Sequence, residues 1–161
     1  MASAGIPESN DEREHMPINT RTVNHVGVAV RDLDAVLAVL APLGGEVRST
    51  ATIEAYGLTS TVVAVGGLLV ELMELDRESE QHAVPAGADA RLHHVALAVE
   101  DLTDTMRRLA TVGVRFQGPT GRREITEPIG TPDALHAWTV PGTTAGLMLQ
   151  LTETRSGAES A

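Results

Sequence analysis

The chain contains two copies of one sequence unit, and this internal repeat constrains the fold more than any other feature. The segment "NHVGVAVRDLDAVLAVLAPLG" from Asn24 aligns with "HHVALAVEDLTDTMRRLATVG" from His93 at an offset of 69 residues. The segment "GLLVELMEL" from Gly67 aligns with "GLMLQLTE" from Gly146 at an offset of 79 residues. The difference falls in the loop-rich stretch "QGPTGRREITEPIGTPD", so the sequence predicts a duplicated module with an insertion in its second copy.

The sequence of each copy predicts the same order of secondary-structure elements, βαβββ. A strand of alternating character leads into a helix that begins after an aspartate and ends at a glycine. Three more strands follow in each copy. The predicted first strands are 23–30 and 93–99, the helices 33–43 and 102–112, and the remaining strands of the first copy 46–50, 59–65 and 68–75.

The ends of the chain are polar and differ from the repeated part. Residues 1–20 are acidic and interrupted by proline, and residues 154–161 are small and polar, so both predict disordered tails. Between them we expect a single domain at 21–153, with module one at 22–75 and module two at 91–153.

Composition excludes several classes of function. The 161 residues include no cysteine, which removes disulfides, thiolate metal sites and cysteine nucleophiles. A formal charge of -10 disfavours binding to nucleic acid or to anionic membranes. No apolar run approaches the roughly 20 residues that a membrane span requires, and no signal peptide is evident. We therefore expect a soluble, cytoplasmic protein.

Alternation along the strands turns a set of polar side chains towards one concave face. Successive side chains of a strand point to opposite sides, so His25 shares a face with small residues while branched valines face the helix. The same rule turns His94 to the concave face and His93 to the helix side or the rim. Four polar groups at repeat-equivalent positions therefore converge: His25, Glu71, His94 and Gln150.

These four side chains form a nitrogen and oxygen ligand set. Two imidazoles, a carboxylate and an amide oxygen suit cobalt, nickel, zinc, manganese or iron(II). A single strand histidine is more often structural, and Glu71 beside Glu74 could be a solvated surface residue. The coincidence of four polar groups at equivalent positions favours a divalent metal site, where the ion acts as a Lewis acid on a carbonyl.

The two copies carry a family resemblance. "NHVGVAVRDL", "LHHVALAVEDL" and the endings "GLLVELMEL" and "GLMLQLTE" resemble the vicinal oxygen chelate superfamily, which includes glyoxalase I, extradiol dioxygenases, fosfomycin and bleomycin resistance proteins and methylmalonyl-CoA epimerase. The resemblance is nearest to the epimerases over 22–153. It implies an α+β fold in which two tandem βαβββ modules form a cupped mixed sheet around one metal ion, often in a homodimer.

Two positions depart from the epimerase pattern. Gln150 stands where those enzymes usually carry a glutamate, and Ser60 stands where they carry a second one. Neither an amide nor a serine hydroxyl accepts a proton near neutral pH. Among the candidate catalytic residues Glu71, Ser60 and Glu54, this leaves Glu71 as the expected base. Glu54 and Tyr56 are reserve candidates that are also readily interpreted as loop residues.

The leading functional hypothesis is a metal-dependent enzyme that stabilises an enolate, an isomerase similar to methylmalonyl-CoA epimerase. Its substrate would be a small carbonyl compound or an acyl-CoA. Two alternatives stay open: a glyoxalase-type lyase, isomerase or cyclase acting on a secondary metabolite, and a non-catalytic drug- or metabolite-binding resistance protein. The presence of only three aromatic residues counts against the second. The arginine clusters available for coenzyme A phosphates, which could equally be solvated surface, are Arg107 with Arg108 and Arg122 with Arg123.

Overall fold

A computed structural model describes residues 18–75 and 83–155. Of the predicted tails at 1–20 and 154–161, residues 1–17 and 156–161 lie outside the described residues. The first module comprises β1 (Thr20–Val30), α1 (Leu33–Leu40), β2 (Glu46–Ile53), β3 (Leu58–Val65) and β4 (Leu68–Leu75), with 3-10 turns at Ala41–Leu43 and Glu54–Tyr56. The second comprises β5 (Ala90–Val99), α2 (Leu102–Thr111), β6 (Phe116–Gln117), β7 (Glu124–Ile125), β8 (Ile129–Gly130), β9 (Ala134–Thr139) and β10 (Leu149–Thr154), with a 3-10 turn at Pro141–Thr143.

The strands of the described residues form one mixed sheet. Its order is β2-β3-β4-β1-β5-β10-β9-β6-β7, and β8 pairs with β9. Within each module the first and last strands are parallel, and the modules join through the antiparallel pair β1 and β5. The α+β fold with two tandem modules is confirmed, and β7 and β8 occupy the predicted insertion.

Repeat-equivalent residues meet at the junction between the modules. Val26 pairs directly with Val95, which lies 69 positions later, so a pseudo-two-fold axis passes between them. Side chains that occupy equivalent positions in the two copies are therefore brought to the same region of the sheet.

At each end the paired strands extend one or two residues further than predicted. Thr20 already pairs with Val99, and Thr154 pairs with Ala134. Backbone pairing thus extends beyond the alternating apolar pattern on which the boundaries rested. The strand that the repeat predicts after Gly146 starts late, because β10 begins only at Leu149 and Leu147 is 61% exposed.

Both helices begin with an aspartate cap at equivalent positions. The Asp32 carboxylate accepts a hydrogen bond from the Ala35 amide at 3.0 Å, and the Asp101 carboxylate accepts one from the Asp104 amide at 2.7 Å. These contacts satisfy amides that have no partner within the helix and place negative charge at the positive end of its dipole.

The two modules are packed unequally. The cluster of buried side chains between α2 and the sheet includes Leu102, Met106, Phe116 and Leu151, whereas the cluster between α1 and the sheet contains Val30, Val63 and Leu72. α1 has no buried residue of its own. The branched face of each first strand lies under its helix as predicted, and this leaves the opposite face of the sheet for the candidate site. Among the described residues, no helix combines the length and the apolar composition needed to cross a membrane.

Candidate metal site

Strand register brings the predicted ligand residues together in two matching rows. In one row Gly27 of β1 is paired with Glu71 of β4 on one side and His94 of β5 on the other. In the other row Ala96 of β5 is paired with Gln150 of β10 and His25 of β1. Side chains of directly paired residues share a face. The rows are related by the pseudo-two-fold axis, so all four side chains rise from the same face.

Three of these side chains lie within contact distance of one another. His25 Nε2 is 3.1 Å from His94 Nε2 and 3.3 Å from Glu71 Oε2, and His94 Nε2 is 3.7 Å from the same oxygen. Two donor atoms bound to one ion at about 2.1 Å are themselves roughly 3.0–3.4 Å apart. The spacing of the three atoms and their nitrogen and oxygen chemistry therefore fit a divalent metal ion.

A small residue makes room for His94. A Cβ atom placed on Gly27 would lie 2.1 Å from His94 Cε1 and 2.3 Å from its Nδ1. The His94 ring thus lies directly over the backbone of β1, and it is almost completely buried. The predicted face of small residues around the histidines is confirmed at this position.

Each histidine is oriented by the residue that precedes it. The register of β1 and β5 shifts at Asn24 and again at His93, two residues related by the 69-residue repeat. Asn24 Oδ1 lies 2.8 Å from His25 Nδ1, and His93 Nδ1 lies 2.8 Å from His94 Nδ1. A hydrogen bond from Nδ1–H of either ligand histidine to its partner leaves Nε2 with a free electron pair for a metal.

The bulge at His93 decides between two predicted positions. Strand parity assigned His93 to the helix side or the rim, and it borders the same cavity as His94, which agrees with the rim and not with the helix side. The extra residue interrupts the alternation of the strand, so the rule of opposite faces fails locally.

Glu71 is held as an ionised carboxylate. Ser60 Oγ donates to Glu71 Oε1 at 2.7 Å, and this leaves Oε2 facing the two histidines. Burial by itself would raise the pKa of Glu71, but the hydrogen bonds from His25 and Ser60 and the nearby charges of His25 and His94 outweigh burial. The net result lowers the pKa from 4.5 to about 2. An ionised oxygen is what a metal ligand requires.

Gln150 has a partner that the sequence analysis missed. Its Nε2 lies 3.2 Å from Nδ1 of His136 on β9, and the His136 ring stacks on Trp138 with centroids 5.9 Å apart. Burial, followed by the nearby His25, lowers the pKa of His136, although Glu71 acts in the opposite direction. The ring is therefore neutral near pH 7 and can accept from the amide.

A cavity of about 500 Å³ opens over these residues. His25, Glu71, His94 and Gln150 all line it, together with His136. The remaining wall is largely apolar, but it also includes Glu54, Tyr56, Trp138 and Arg122. Of the four arginines considered for phosphate binding, only Arg122 borders this cavity, and Arg107 and Arg108 both lie near Asp104, at 2.8 and 3.9 Å.

The sequence model of the Glyoxalase/Bleomycin resistance protein/Dioxygenase superfamily matches residues 24–127, more than half of the chain. The chain belongs to this superfamily. A search of curated protein sequences returns no match.

Several solved structures show the same fold. A methylmalonyl-CoA epimerase from Mycobacterium tuberculosis superposes with a TM-score of 0.69 at 24% identity, covering 89% of this chain and 96% of its own. A Streptomyces coelicolor methylmalonyl-CoA epimerase variant in complex with 2-nitronate-propionyl-CoA gives 0.69 at 22% identity, covering 89% and 99%. A hypothetical protein from Bacillus halodurans gives 0.69 at 21% identity, covering 86% and 98%.

Within this vicinal oxygen chelate fold, some of the candidate residues predicted from the sequence form the cluster and others lie elsewhere around the cavity. His25, Glu71 and His94 form the close cluster, and Gln150 lines the same cavity through its contact with His136. Ser60 is engaged as a donor to Glu71. Glu54 borders the cavity from a 3-10 turn and stands outside the cluster of three.

The equivalence of His136 and Ser60 could not be predicted from the sequence, because the loop between β9 and β10 is longer than the turn between β3 and β4. His136 pairs with Thr152, two residues after Gln150, while Ser60 pairs with Met73, two residues after Glu71. His136 is therefore the structural equivalent of Ser60. The loop between β9 and β10 is longer than the two-residue turn between β3 and β4, so a constant sequence offset does not align the two residues.

Proposed function

We propose that this protein is a metal-dependent enzyme that stabilises an enolate next to a carbonyl group, as an isomerase of the methylmalonyl-CoA epimerase type. The observation that carries the proposal is the mutual approach of His25 Nε2, His94 Nε2 and Glu71 Oε2 to 3.1–3.7 Å at the wall of a cavity. A divalent ion held by these residues and by Gln150 would supply the positive charge that stabilises an enolate oxygen. Cobalt, nickel, zinc, manganese and iron(II) all suit the donor set.

Glu71 is the proposed proton acceptor. It is ionised over the whole neutral range, and it faces the cavity beside the two histidines. The hydrogen bond from Ser60 that lowers its pKa also weakens it as a base. Proton transfer therefore requires the substrate to loosen these contacts. Ser60 holds the carboxylate, and Glu54 is the alternative acceptor at the same cavity.

The proposed substrate is a small carbonyl compound or an acyl-CoA that bears an anionic group. Arg122 supports this choice, because it is the only arginine or lysine that lines the cavity as described. A guanidinium group binds carboxylate or phosphate through paired hydrogen bonds. In a chain with a formal charge of -10, a cation at this position is a local exception.

Two observations support the alternatives. Gln150 and His136 occupy the side of the cavity where a second carboxylate base would be expected, and this favours a lyase, isomerase or cyclase that moves a proton on one face. Tyr56 and Trp138, two of the three aromatic residues, line the cavity. Their presence removes the main argument against a binding protein that holds a planar metabolite.

Deuterium exchange tests the proposal. The metal-loaded protein is incubated with methylmalonyl-CoA in deuterated water, and label at the α carbon is measured by mass spectrometry. We expect exchange with the wild-type protein and with Glu74→Gln, and loss of exchange with Glu71→Gln. Absence of exchange with metal bound would favour an alternative substrate or a binding role. Normal exchange with Glu71→Gln would remove Glu71 as the base.

The expected homodimer and the cytoplasmic location stay predictions. The exposed apolar side chains of Val39, Leu43 and Val47 in the first module support a homodimer, because such a surface is commonly covered by a second subunit. Sedimentation of the purified protein would measure its subunit number.

A further inference from the structure

The hydrogen-bond partners of Glu71 and Gln150 follow the same pseudo-two-fold symmetry as the ligand residues. Ser60 and His136 occupy equivalent positions on β3 and β9, each paired two residues beyond the ligand on the neighbouring strand. Ser60 contacts Glu71 at 2.7 Å and His136 contacts Gln150 at 3.2 Å. The duplicated unit thus comprises a ligand residue together with the side chain that holds it.

Ser60 and His136 each have the hydrogen-bonding group that their partner, Glu71 or Gln150, requires. A carboxylate can only accept hydrogen bonds, and its partner Ser60 is a donor. An amide has a donor end and an acceptor end, and its partner His136 accepts at Nδ1. The replacement of a carboxylate by an amide in the second module is therefore accompanied by the replacement of a donor by an acceptor.

Neighbouring groups define which nitrogen of His136 accepts. His136 Nε2 lies 3.4 Å from Thr131 Oγ1, and this hydroxyl donates to the Ala134 carbonyl at 3.1 Å. The proton of the Thr131 hydroxyl thus points to the Ala134 carbonyl and away from His136. His136 Nε2–H therefore donates to Thr131 Oγ1, and Nδ1 keeps its electron pair. Stacking on Trp138 holds the plane of the ring.

We propose that His136 is a positioning residue that orients the amide of Gln150. When the amide nitrogen donates to His136 Nδ1, the carbonyl oxygen of Gln150 is the end left for the ligand set. Without this acceptor the amide is free to rotate and present its NH₂ group, which cannot bind a cation. This inference rests on the metal site of the proposed function and explains how an amide serves where a carboxylate is expected.

Cobalt titration of the wild type and three variants tests the role of His136. Removing a residue that orients a metal ligand typically weakens metal affinity roughly 10- to 100-fold. We expect His136→Phe, which keeps an aromatic ring but has no acceptor, to weaken Co²⁺ binding by about ten-fold or more. His136→Asn, whose carbonyl can replace Nδ1, should retain most of the affinity. Thr120→Val, a cavity residue without a described contact to the ligand set, is the matched control.

Repeating the His136→Phe substitution in a Gln150→Glu variant separates an effect on the orientation of the amide from general damage to the fold. In Gln150→Glu either oxygen can bind the ion, so adding His136→Phe should change the affinity by less than about three-fold if orientation is the whole effect. Equal affinity of wild type and His136→Phe would overturn the proposal. An equal loss in both backgrounds would also overturn it, because the effect would then not act through the amide.

The side-chain amide signals of Gln150 provide a readout without metal. In chelator-treated protein we expect its NH₂ protons to be protected from exchange in the wild type and exposed in His136→Phe. Failure of the wild type to bind Co²⁺ would refute the proposed metal function, whereas unchanged amide protection in His136→Phe would refute the role of His136 alone.

Discussion

His25 Nε2 and His94 Nε2 approach to 3.1 Å although the two residues are 69 positions apart in the sequence. The approach follows from the register of β1 and β5, in which each histidine is paired with a small residue of the other strand, Ala96 or Gly27. A duplicated strand that pairs with its own copy thus builds a site from two half-sites. The cluster of candidate ligands is a consequence of the repeat rather than of any single motif.

The close packing of His94 on Gly27 predicts a loss of metal binding without loss of the fold. The methyl group of Gly27→Ala would lie 2.1 Å from His94 Cε1, so the ring must leave the position that it occupies in the cluster. Alanine itself suits the strand, since Ala96 occupies the equivalent position. We expect metal affinity to fall by about ten-fold or more, measured by calorimetric titration. Ala96→Gly is the control, and an unchanged affinity in Gly27→Ala would contradict the description of this contact.

The low pKa of Glu71 predicts a specific loss of stability in acid. Its folded-state pKa of about 2 lies below the ordinary value of 4.5, so the unfolded chain takes up the proton first as the pH falls. The stabilisation is present above pH 4.5 and declines as the pH falls towards 2, by on the order of 3 kcal/mol. Urea unfolding of chelator-treated protein at several pH values measures it. Glu71→Gln should lack this part of the decline, and identical pH profiles would contradict the assignment.

The unequal packing of the two modules predicts unequal costs of the same substitution. Leu102, the first residue of α2, is fully buried, whereas its repeat equivalent Leu33, the first residue of α1, is only partly buried. We expect Leu102→Ala to lower the free energy of unfolding by about 3 kcal/mol, and Leu33→Ala by about half of that. Denaturant titration compares the two directly. A larger cost at Leu33 would show that α1 is covered in solution, for instance by a second subunit.

The position of Arg122 predicts a selective effect on substrate binding. Arg122→Ala should raise KM for an anionic substrate roughly ten-fold, the loss expected for one charge-assisted contact of about 1.4 kcal/mol, with a smaller change in kcat. Arg123→Ala is the matched control, because Arg123 is exposed and does not line the cavity. Equal effects of the two substitutions on KM would exclude a specific role for Arg122.

The parts of the candidate site that depend on the repeat and on strand alternation could be predicted from the sequence. Repeat offsets of 69 and 79 residues matched His25 with His94 and Glu71 with Gln150, and parity turned them to one face. Both rules fail where the backbone departs from regularity. The bulge at His93 turned that ring to the cavity, and the longer loop before β10 concealed the equivalence of His136 and Ser60.

The hydrogen-bond partners of the ligands could not be predicted for a related reason. Asn24 has no sequence signature, and Ser60 was a candidate catalytic residue and not an expected donor to Glu71. Both roles depend on contacts of 2.8 and 2.7 Å that only the packed sheet creates. The sequence therefore identified the candidate ligands, whereas the side chains that orient them became evident only from the three-dimensional structure.

The binding of a divalent ion by the cluster is the central claim, and stoichiometric metal titration tests it most directly. After treatment with a chelator, the protein is titrated with Co²⁺, and the bound metal per chain is determined by elemental analysis. We predict one ion per chain for the wild type and for Glu74→Gln, and a loss of tight binding in His25→Ala and in His94→Ala. No uptake by the wild type, or undiminished uptake by both histidine variants, would contradict the assignment of the site.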